Sequence, residues 1–234
     1  MKSLLNFILK IPIVGGITNF FLKKIKNKQF PGSEKYWEDR YRLGGNSGSG
    51  SYNRLSEFKA RTINDFIAGK NIFSAMEFGC GDGNNLSLIK YPKYIGLDVS
   101  PTAIKICMNK YKNDLSKSFY VYNSLSFCDN HQLFKAEVTL SLDVIYHLIE
   151  DEIFSKYMTD LFQSSEKYVI IYSRNYSEKH DFHQRSRNFT KWIDENQKLF
   201  TLINKIENPY RFDLKDPNNT SNADFFIYLR SVKK

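Results

Sequence analysis

Short apolar runs alternating with helix-competent stretches predict an α/β fold for this chain of 234 residues. The predicted architecture is a mostly parallel, seven-stranded sheet with a closing antiparallel pair and helices on both faces. Apolar runs of strand length recur at 72–76, 94–98, 118–123, 138–143 and 168–173. Amphipathic stretches of helical spacing cover 53–68, 101–108 and 151–162. A glycine-rich turn, Gly79-Cys80-Gly81-Asp82-Gly83, follows the first run. Glycines at alternate positions let the backbone turn sharply and let a ligand approach where a Cβ would collide.

Hydrophobic residues make up 41% and charged residues 25%, which excludes a disordered chain. A net charge of +9 favours anionic partners, unless the lysines only solvate the surface. Cys80, Cys107 and Cys128 form no C-x-x-C pair, and the four histidines have no zinc-ligand spacing. No metal is expected, and the cysteine usage suits the cytoplasm.

Residues 1–32 are expected to form an apolar and basic arm, and 33–234 the main domain, whose segment 33–70 holds N-terminal helices and a Gly/Ser lid. Lys10, Pro12 and Gly15-Gly16 interrupt the apolar run well before the roughly 20 residues a membrane span needs. No small-residue cleavage site of a signal peptide is evident. Two readings stay open: helices packing on a protein surface, or an interfacial anchor with lysines on anionic headgroups, at the inner face of a membrane.

Ser33–Arg42 is helix-competent after Pro31-Gly32. Residues 43–52 are a glycine- and serine-rich loop, either a linker or a lid. Asn53–Ala68 is a helix with Leu55, Phe58, Ile63, Phe66 and Ile67 inward and Gly69 as its stop. The first strand leads through the glycine turn into a helix expected from Leu86. The second strand ends at Asp98, nineteen positions after Gly79, where a ribose-binding carboxylate belongs. Ser100 as N-cap and Pro101 in the first turn open the next helix, with Ala103, Ile104, Cys107 and Met108 buried. Asp143 ends the fourth strand. After the fifth, 174–188 reads as a polar, basic loop, then a short helix capped by Thr190, then strands at 199–206 and 225–232.

A dinucleotide fingerprint G-x-G-x-x-G needs glycine where Asn84 stands, so that spacing fails. Glu77, Gly79, Gly81, Gly83, Asp98 and Asp143, in this order, resemble the class I S-adenosylmethionine-dependent methyltransferases. The resemblance implies a Rossmann-like methyltransferase fold and S-adenosylmethionine as cofactor. It implies that the glycine turn with Cys80 lies beneath the methionine moiety, that Asp98 holds the ribose, and that Asn123, Ser124 and Leu125 contact the adenine. Phrases such as Tyr36-Trp37-Glu38-Asp39-Arg40-Tyr41, Ser141–Leu148 and His183–Thr190 resemble bacterial methyltransferases of surface and capsular polysaccharide biosynthesis. That implies O-methylation of a small, polar, anionic acceptor, a phosphate, phosphoramidate or sugar-linked group.

His147, just past the fourth strand, is the leading candidate base, or else a structurally bonded histidine. Tyr146 orients the acceptor or merely packs. His180, His183, Arg185 and Arg187 form either an anion clamp or a solvated loop. Tyr36, Tyr52 and Arg54 close over the ligands or serve packing. Two alternatives to a small-molecule enzyme remain. A nucleic-acid (RNA) methyltransferase suits the charge, although the strand-four motif lacks the N-P-P-Y pattern of base amino-methylation. A membrane-associated cofactor-binding protein without catalysis is disfavoured by the intact glycines and Asp98.

Overall fold

The computed structural model describes residues 30–231, without the side chains of 179–181. The arm expected over 1–32 therefore lies outside the described residues except for its last three positions, and the side chain of His180 lies outside them too.

Nine strands and five helices follow in the order α1 (Ser33–Arg42), α2 (Asn53–Lys70), β1 (Ser74–Phe78), β2 (Lys93–Asp98), α3 (Pro101–Lys110), β3 (Lys117–Val121), β4 (Ala136–Leu142), α4 (Asp151–Gln163), β5 (Ser165–Ser173), β6 (Glu178–Asp181), β7 (Gln184–Ser186), α5 (Phe189–Asn196), β8 (Phe200–Ile206) and β9 (Asp224–Arg230) among the described residues. Seven strands form one sheet in the order β3-β2-β1-β4-β5-β9-β8, and β6 pairs with β7 as a separate hairpin. β1 pairs in parallel with both β2 and β4, so the strand order reverses beside β1. That reversal opens a crevice at the carboxyl ends of β1 and β4. β9 runs antiparallel to β5 and β8 antiparallel to β9, which gives the expected closing pair.

Side-chain alternation along the strands builds two cores. Ala75, Val138, Leu140, Ile170 and Tyr172 meet Phe58, Ile63 and Ile67 of α2 and Ile104 and Cys107 of α3 on one face. Met76, Phe78, Val169 and Ile171 meet Phe154, Tyr157, Met158 and Leu161 of α4 and Phe189 and Ile193 of α5 on the other.

Five local expectations are corrected. No α-helix follows the glycine turn: Asn85–Leu88 makes one 3-10 turn, because only a few residues separate it from Pro92 and β2. α2 runs past Gly69 to Lys70 and ends at Asn71, which takes the left-handed conformation (φ 53°) and donates its N–H to the Ala68 carbonyl, while the Ile72 N–H donates to that of Ile67. Met108 is 54% exposed, since the short α3 turns only Ala103, Ile104 and Cys107 inward. Asn188, not Thr190, caps α5 by accepting the Lys191 N–H. The stretch read as a loop over 174–188 contains the β6–β7 hairpin. Ser100 does cap α3, accepting the Ala103 N–H at 3.0 Å ahead of Pro101.

Candidate functional site

The glycine turn is shaped by what lies on it. Gly79 and Gly81 have φ of 83° and 56°; a Cβ on Gly79 would lie 2.4 Å from Val144, and one on Gly81 2.3 Å from the Ser47 hydroxyl. The Gly/Ser loop over 43–52 therefore docks against the turn. Asp82 Oδ2 accepts the Ser47 N–H (3.0 Å) and the Tyr52 hydroxyl (2.8 Å), while the Asp82 N–H donates to Ser47 Oγ (3.1 Å). Asn84 Nδ2 donates to the Ser51 carbonyl at 2.6 Å. Tyr52 is thus a strut of the loop.

Beneath this roof lies a cleft. Gly79, Cys80, Gly81, Asp98, Asn123, Ser124, Leu125 and Asp143 all line it, whereas Glu77 and Gly83 do not. Glu77 is buried and accepts the Tyr94 hydroxyl at 2.7 Å. The Gly83 carbonyl accepts from Lys110 and Tyr111 on the far side of the turn. Asn123 uses its amide locally, donating to Glu34 and accepting from the Leu125 N–H. Among the described residues, four carboxylates line the cleft (Glu34, Asp82, Asp98 and Asp143), and no lysine or arginine does. Asn85 Oδ1 is buried there without a hydrogen-bond partner.

Asp98 accepts the Gly81 N–H and the Ser100 N–H, both at 2.9 Å. Burial pushes its pKa up to about 6, assisted by Asp82 and Glu38 and opposed by those two N–H groups. Burial likewise raises Glu77 to about 7, against the Tyr94 hydrogen bond and Lys59. A carboxyl with a raised folded pKa binds more protons than its unfolded counterpart between the two values. Its stabilising contribution is complete below the unfolded pKa, near 4, and is lost as pH rises through the folded pKa. Urea midpoints of the protein alone are therefore expected to carry a declining contribution between pH 4 and 7, which Glu77→Gln removes in part.

A second chamber adjoins the first and shares Trp37, Ser47, Asp143 and His147 with it. Its charge is opposite in character: Arg40 and Arg174 line it beside His147 and His183, with Asp143 as its only carboxylate among the described residues. Polar side chains of Asn46, Asn218, Ser221 and Asn222 complete the wall.

Asp143 stands between the chambers in a left-handed backbone conformation (φ 61°), uncommon outside glycine. Its Oδ2 pairs with Lys59 Nζ at 2.6 Å, and its Oδ1 accepts the Tyr146 hydroxyl at 2.9 Å. Lys59 is 0% exposed. Burial and the Asp143 charge push the Tyr146 hydroxyl well above its ordinary pKa. His147 is enclosed by Trp37 edge-on at 4.8 Å, Tyr146 at 4.5 Å and the parallel His183 ring at 5.6 Å; Tyr36 stacks on His183 in turn at 4.8 Å. Burial, together with His183 and Arg174, lowers the His147 pKa to about 3, against the His183 carbonyl and Asp143.

The arginines expected to clamp an anion are placed otherwise. Arg185 donates to the Ile149 carbonyl and pairs with Asp151, and Arg187 pairs with Asp151 and donates to the Leu148 and Ile149 carbonyls. They pin the hairpin to the start of α4 and do not line the second chamber. Arg54 bonds Asn219 and Asp216, tying α2 to the β8–β9 connection. Arg187→Ala is expected to cost about 1–3 kcal/mol and to speed amide exchange across 178–186; unchanged exchange there would contradict the pinning role.

Sequence reasoning missed Lys59, Trp37, Arg40 and Arg174 as site residues. Lys59 left a signal: it lies four positions from both Leu55 and Ile63, on the apolar stripe of α2.

No family model and no curated protein sequence matches the chain. Solved structures do. The N-methyltransferase NodS from Bradyrhizobium japonicum WM9, in complex with S-adenosyl-L-homocysteine, aligns with a TM-score of 0.64 at 11% identity, covering 86% of this chain and 99% of that one. Magnesium protoporphyrin IX methyltransferase (ChlM) from Synechocystis PCC 6803, with bound S-adenosylhomocysteine, gives 0.60 at 14% identity, covering 85% and 98%. The methyltransferase domain of bacterial CtHen1 gives 0.57 at 16% identity, covering 74% and 97%. Strand order, reversal point and these alignments together show that the chain has the fold of the class I S-adenosylmethionine-dependent methyltransferases.

Proposed function

We propose that the protein is an S-adenosylmethionine-dependent O-methyltransferase acting on a small, polar, anionic acceptor. The observation that carries this reading is the pair of adjoining chambers, one acidic and one basic, meeting at Asp143, His147, Trp37 and Ser47.

The residues present fit the cofactor. An acidic cleft suits a ligand bearing a sulfonium and an ammonium. Asp98 would accept the ribose hydroxyls, as acids at this position of a doubly wound sheet do. Asn85, with its unpartnered Oδ1, and Asp82 would accept from the ammonium. Val99, Leu125 and Ile153 supply an apolar seat for the adenine beside Asn123 and Ser124. Glu77 and Gly83 would act from behind the turn. The cofactor supplies the methyl electrophile, so the chain's task is to orient the acceptor and exclude water. Trp37, Tyr146 and His147 wall the junction, and Arg40 and Arg174 would draw the acceptor's negative charge toward it.

The polar wall of Asn218, Ser221 and Asn222 supports a hydroxylated, sugar-linked acceptor of the kind used in surface polysaccharide assembly. A nucleic-acid phosphate would address the same arginines, so an RNA pool belongs among the probes. Among the described residues, no helix is long and apolar enough to cross a membrane. The membrane contact proposed for residues 1–32 is tested by liposome binding with and without them.

Calorimetry should give S-adenosylmethionine binding that tightens about tenfold from pH 5 to pH 7, as Asp98 ionises and the competent fraction rises. Transfer of labelled methyl to sugar phosphates, uronic acids and RNA then identifies the acceptor class. An absence of cofactor binding at every pH would refute the assignment.

A further inference from the structure

Resting on that reading, we infer that Lys59 is a positioning residue for methyl transfer, which acts through Asp143 to hold the junction of the two chambers electrically neutral. On the proposed function the cofactor lies in the acidic cleft and the acceptor in the second chamber. The reacting atoms then meet where the two join. Trp37, Ser47, Asp143 and His147 line both chambers, and Asp143 is the carboxylate among them.

The chain fixes Asp143 in that place from several sides. Its N–H donates to the Tyr172 carbonyl at 2.9 Å, which ties the end of β4 to β5. Its backbone is held left-handed, at φ 61°. Oδ1 accepts the Tyr146 hydroxyl. Gly50 of the Gly/Ser loop lies against Oδ2, so close that a Cβ there would come within 2.9 Å of it. Lys59 reaches the same oxygen from α2, with Nζ at 2.6 Å from Oδ2 and 5.3 Å from the Tyr172 ring centre. The lysine side chain is wholly buried, whereas that of Asp143 is 13% exposed. A carboxylate on the wall of an open cleft is satisfied by water and the tyrosine hydroxyl alone. Sinking an ammonium behind it costs desolvation, and such a pair is a weak source of net stability. A strained backbone held by a buried cation therefore points to a role at the junction.

That role is electrostatic. A bare carboxylate here would attract a sulfonium before transfer and lose that attraction once the bonding pair has returned to sulfur and cancelled its charge. Attraction confined to the ground state raises the barrier. The same bare charge would repel the anionic acceptor that Arg40 and Arg174 draw in. Lys59 cancels it from behind and lines neither chamber, so no cation is added to the cofactor's side. Two further charged groups lie near the pair: Arg174, 4.3 Å from the Tyr146 ring centre, and Glu77, on which the Lys59 ammonium also acts. The variants below leave both in place.

The test titrates the full chain at pH 8 by calorimetry with S-adenosylmethionine and, separately, with S-adenosylhomocysteine. The two ligands differ by the methyl group and the sulfonium charge. The ratio of their Kd values therefore reads the potential at the sulfur, while a general loosening of the site weakens both alike. Lys59→Met should shift the ratio roughly fivefold or more toward S-adenosylmethionine. Asp143→Asn should shift it toward S-adenosylhomocysteine by a similar factor, and Lys59→Met/Asp143→Asn should bring it back to within about twofold of the parent. Melting temperatures show which variants are folded, and either single variant is sufficient if the other does not fold. The inference is overturned by a ratio that stays constant in the folded variants, or by two single variants that move it in the same direction. Failure of the parent to bind either ligand would instead sink the proposed function, and this inference with it.

Discussion

Asp143→Ala is expected to lower the unfolding free energy by about 3–5 kcal/mol, because it leaves the Lys59 ammonium buried without its counter-ion. Against a total stability of roughly 5–15 kcal/mol for a domain, that is the largest single-site effect foreseen. Lys59→Met should cost less, since Asp143 is 13% exposed at its side chain and keeps the Tyr146 hydrogen bond. The double variant Lys59→Met/Asp143→Ala should recover part of the loss, with a coupling of about 1–3 kcal/mol in a double-mutant cycle. Urea denaturation of the four proteins measures this. Additive losses would mean that the pair is not the device that holds the strained Asp143 backbone in place.

Asp98→Ala should raise the Kd for S-adenosylmethionine by about 100-fold or more. Two hydrogen bonds from ribose hydroxyls to a carboxylate are lost, each worth roughly 1.5–3 kcal/mol. The same substitution frees the Gly81 and Ser100 N–H groups, so the turn itself loosens. Asp98→Asn separates the two effects: it keeps one oxygen for the backbone but replaces an acceptor by a donor. A ligand-free melting temperature near that of the parent, combined with the affinity loss, would locate the effect in cofactor contact. An unchanged Kd in both variants would remove Asp98 from the site.

Most of the sheet was legible because each parallel strand contains a short apolar run, and an acid stands in or beside the end of β1, β2 and β4. Glu77, Asp98 and Asp143 mark three strand ends in a chain read one residue at a time. The β6–β7 hairpin was not legible: Glu178–Asp181 and Gln184–Ser186 have no apolar alternation, and the hairpin is held by Arg185 and Arg187 on Asp151, more than thirty residues upstream. The same long-range pairing explains why Arg185 and Arg187, read as part of an anion clamp or a solvated loop, fasten the hairpin. Arg40 and Arg174 carry no local mark; what sets them apart is their place in the wall of the second chamber without a carboxylate partner among the described residues, which only the fold reveals.

The acidic cleft was more legible than the second chamber for a related reason. Its turn, Asp98 and Asn123–Leu125 each follow a strand end, so strand assignment alone brings them to one edge. The second chamber draws on α1, the Gly/Ser loop, the hairpin and the β8–β9 connection, which sequence order does not bring together. Tyr52 and Arg54, read from the sequence as closing over the ligands or as packing, make their contacts to Asp82 and to Asp216 and Asn219.

On the proposed function, the acidic cleft holds the cofactor with its sulfur at the junction of the two chambers. A crystal structure of the full chain with S-adenosylhomocysteine tests it most directly. The account predicts the ribose on Asp98 and the sulfur beside Asp143, His147 and Trp37, open to the chamber of Arg40 and Arg174. A ligand bound elsewhere, or one whose sulfur is walled off from that chamber, would contradict it.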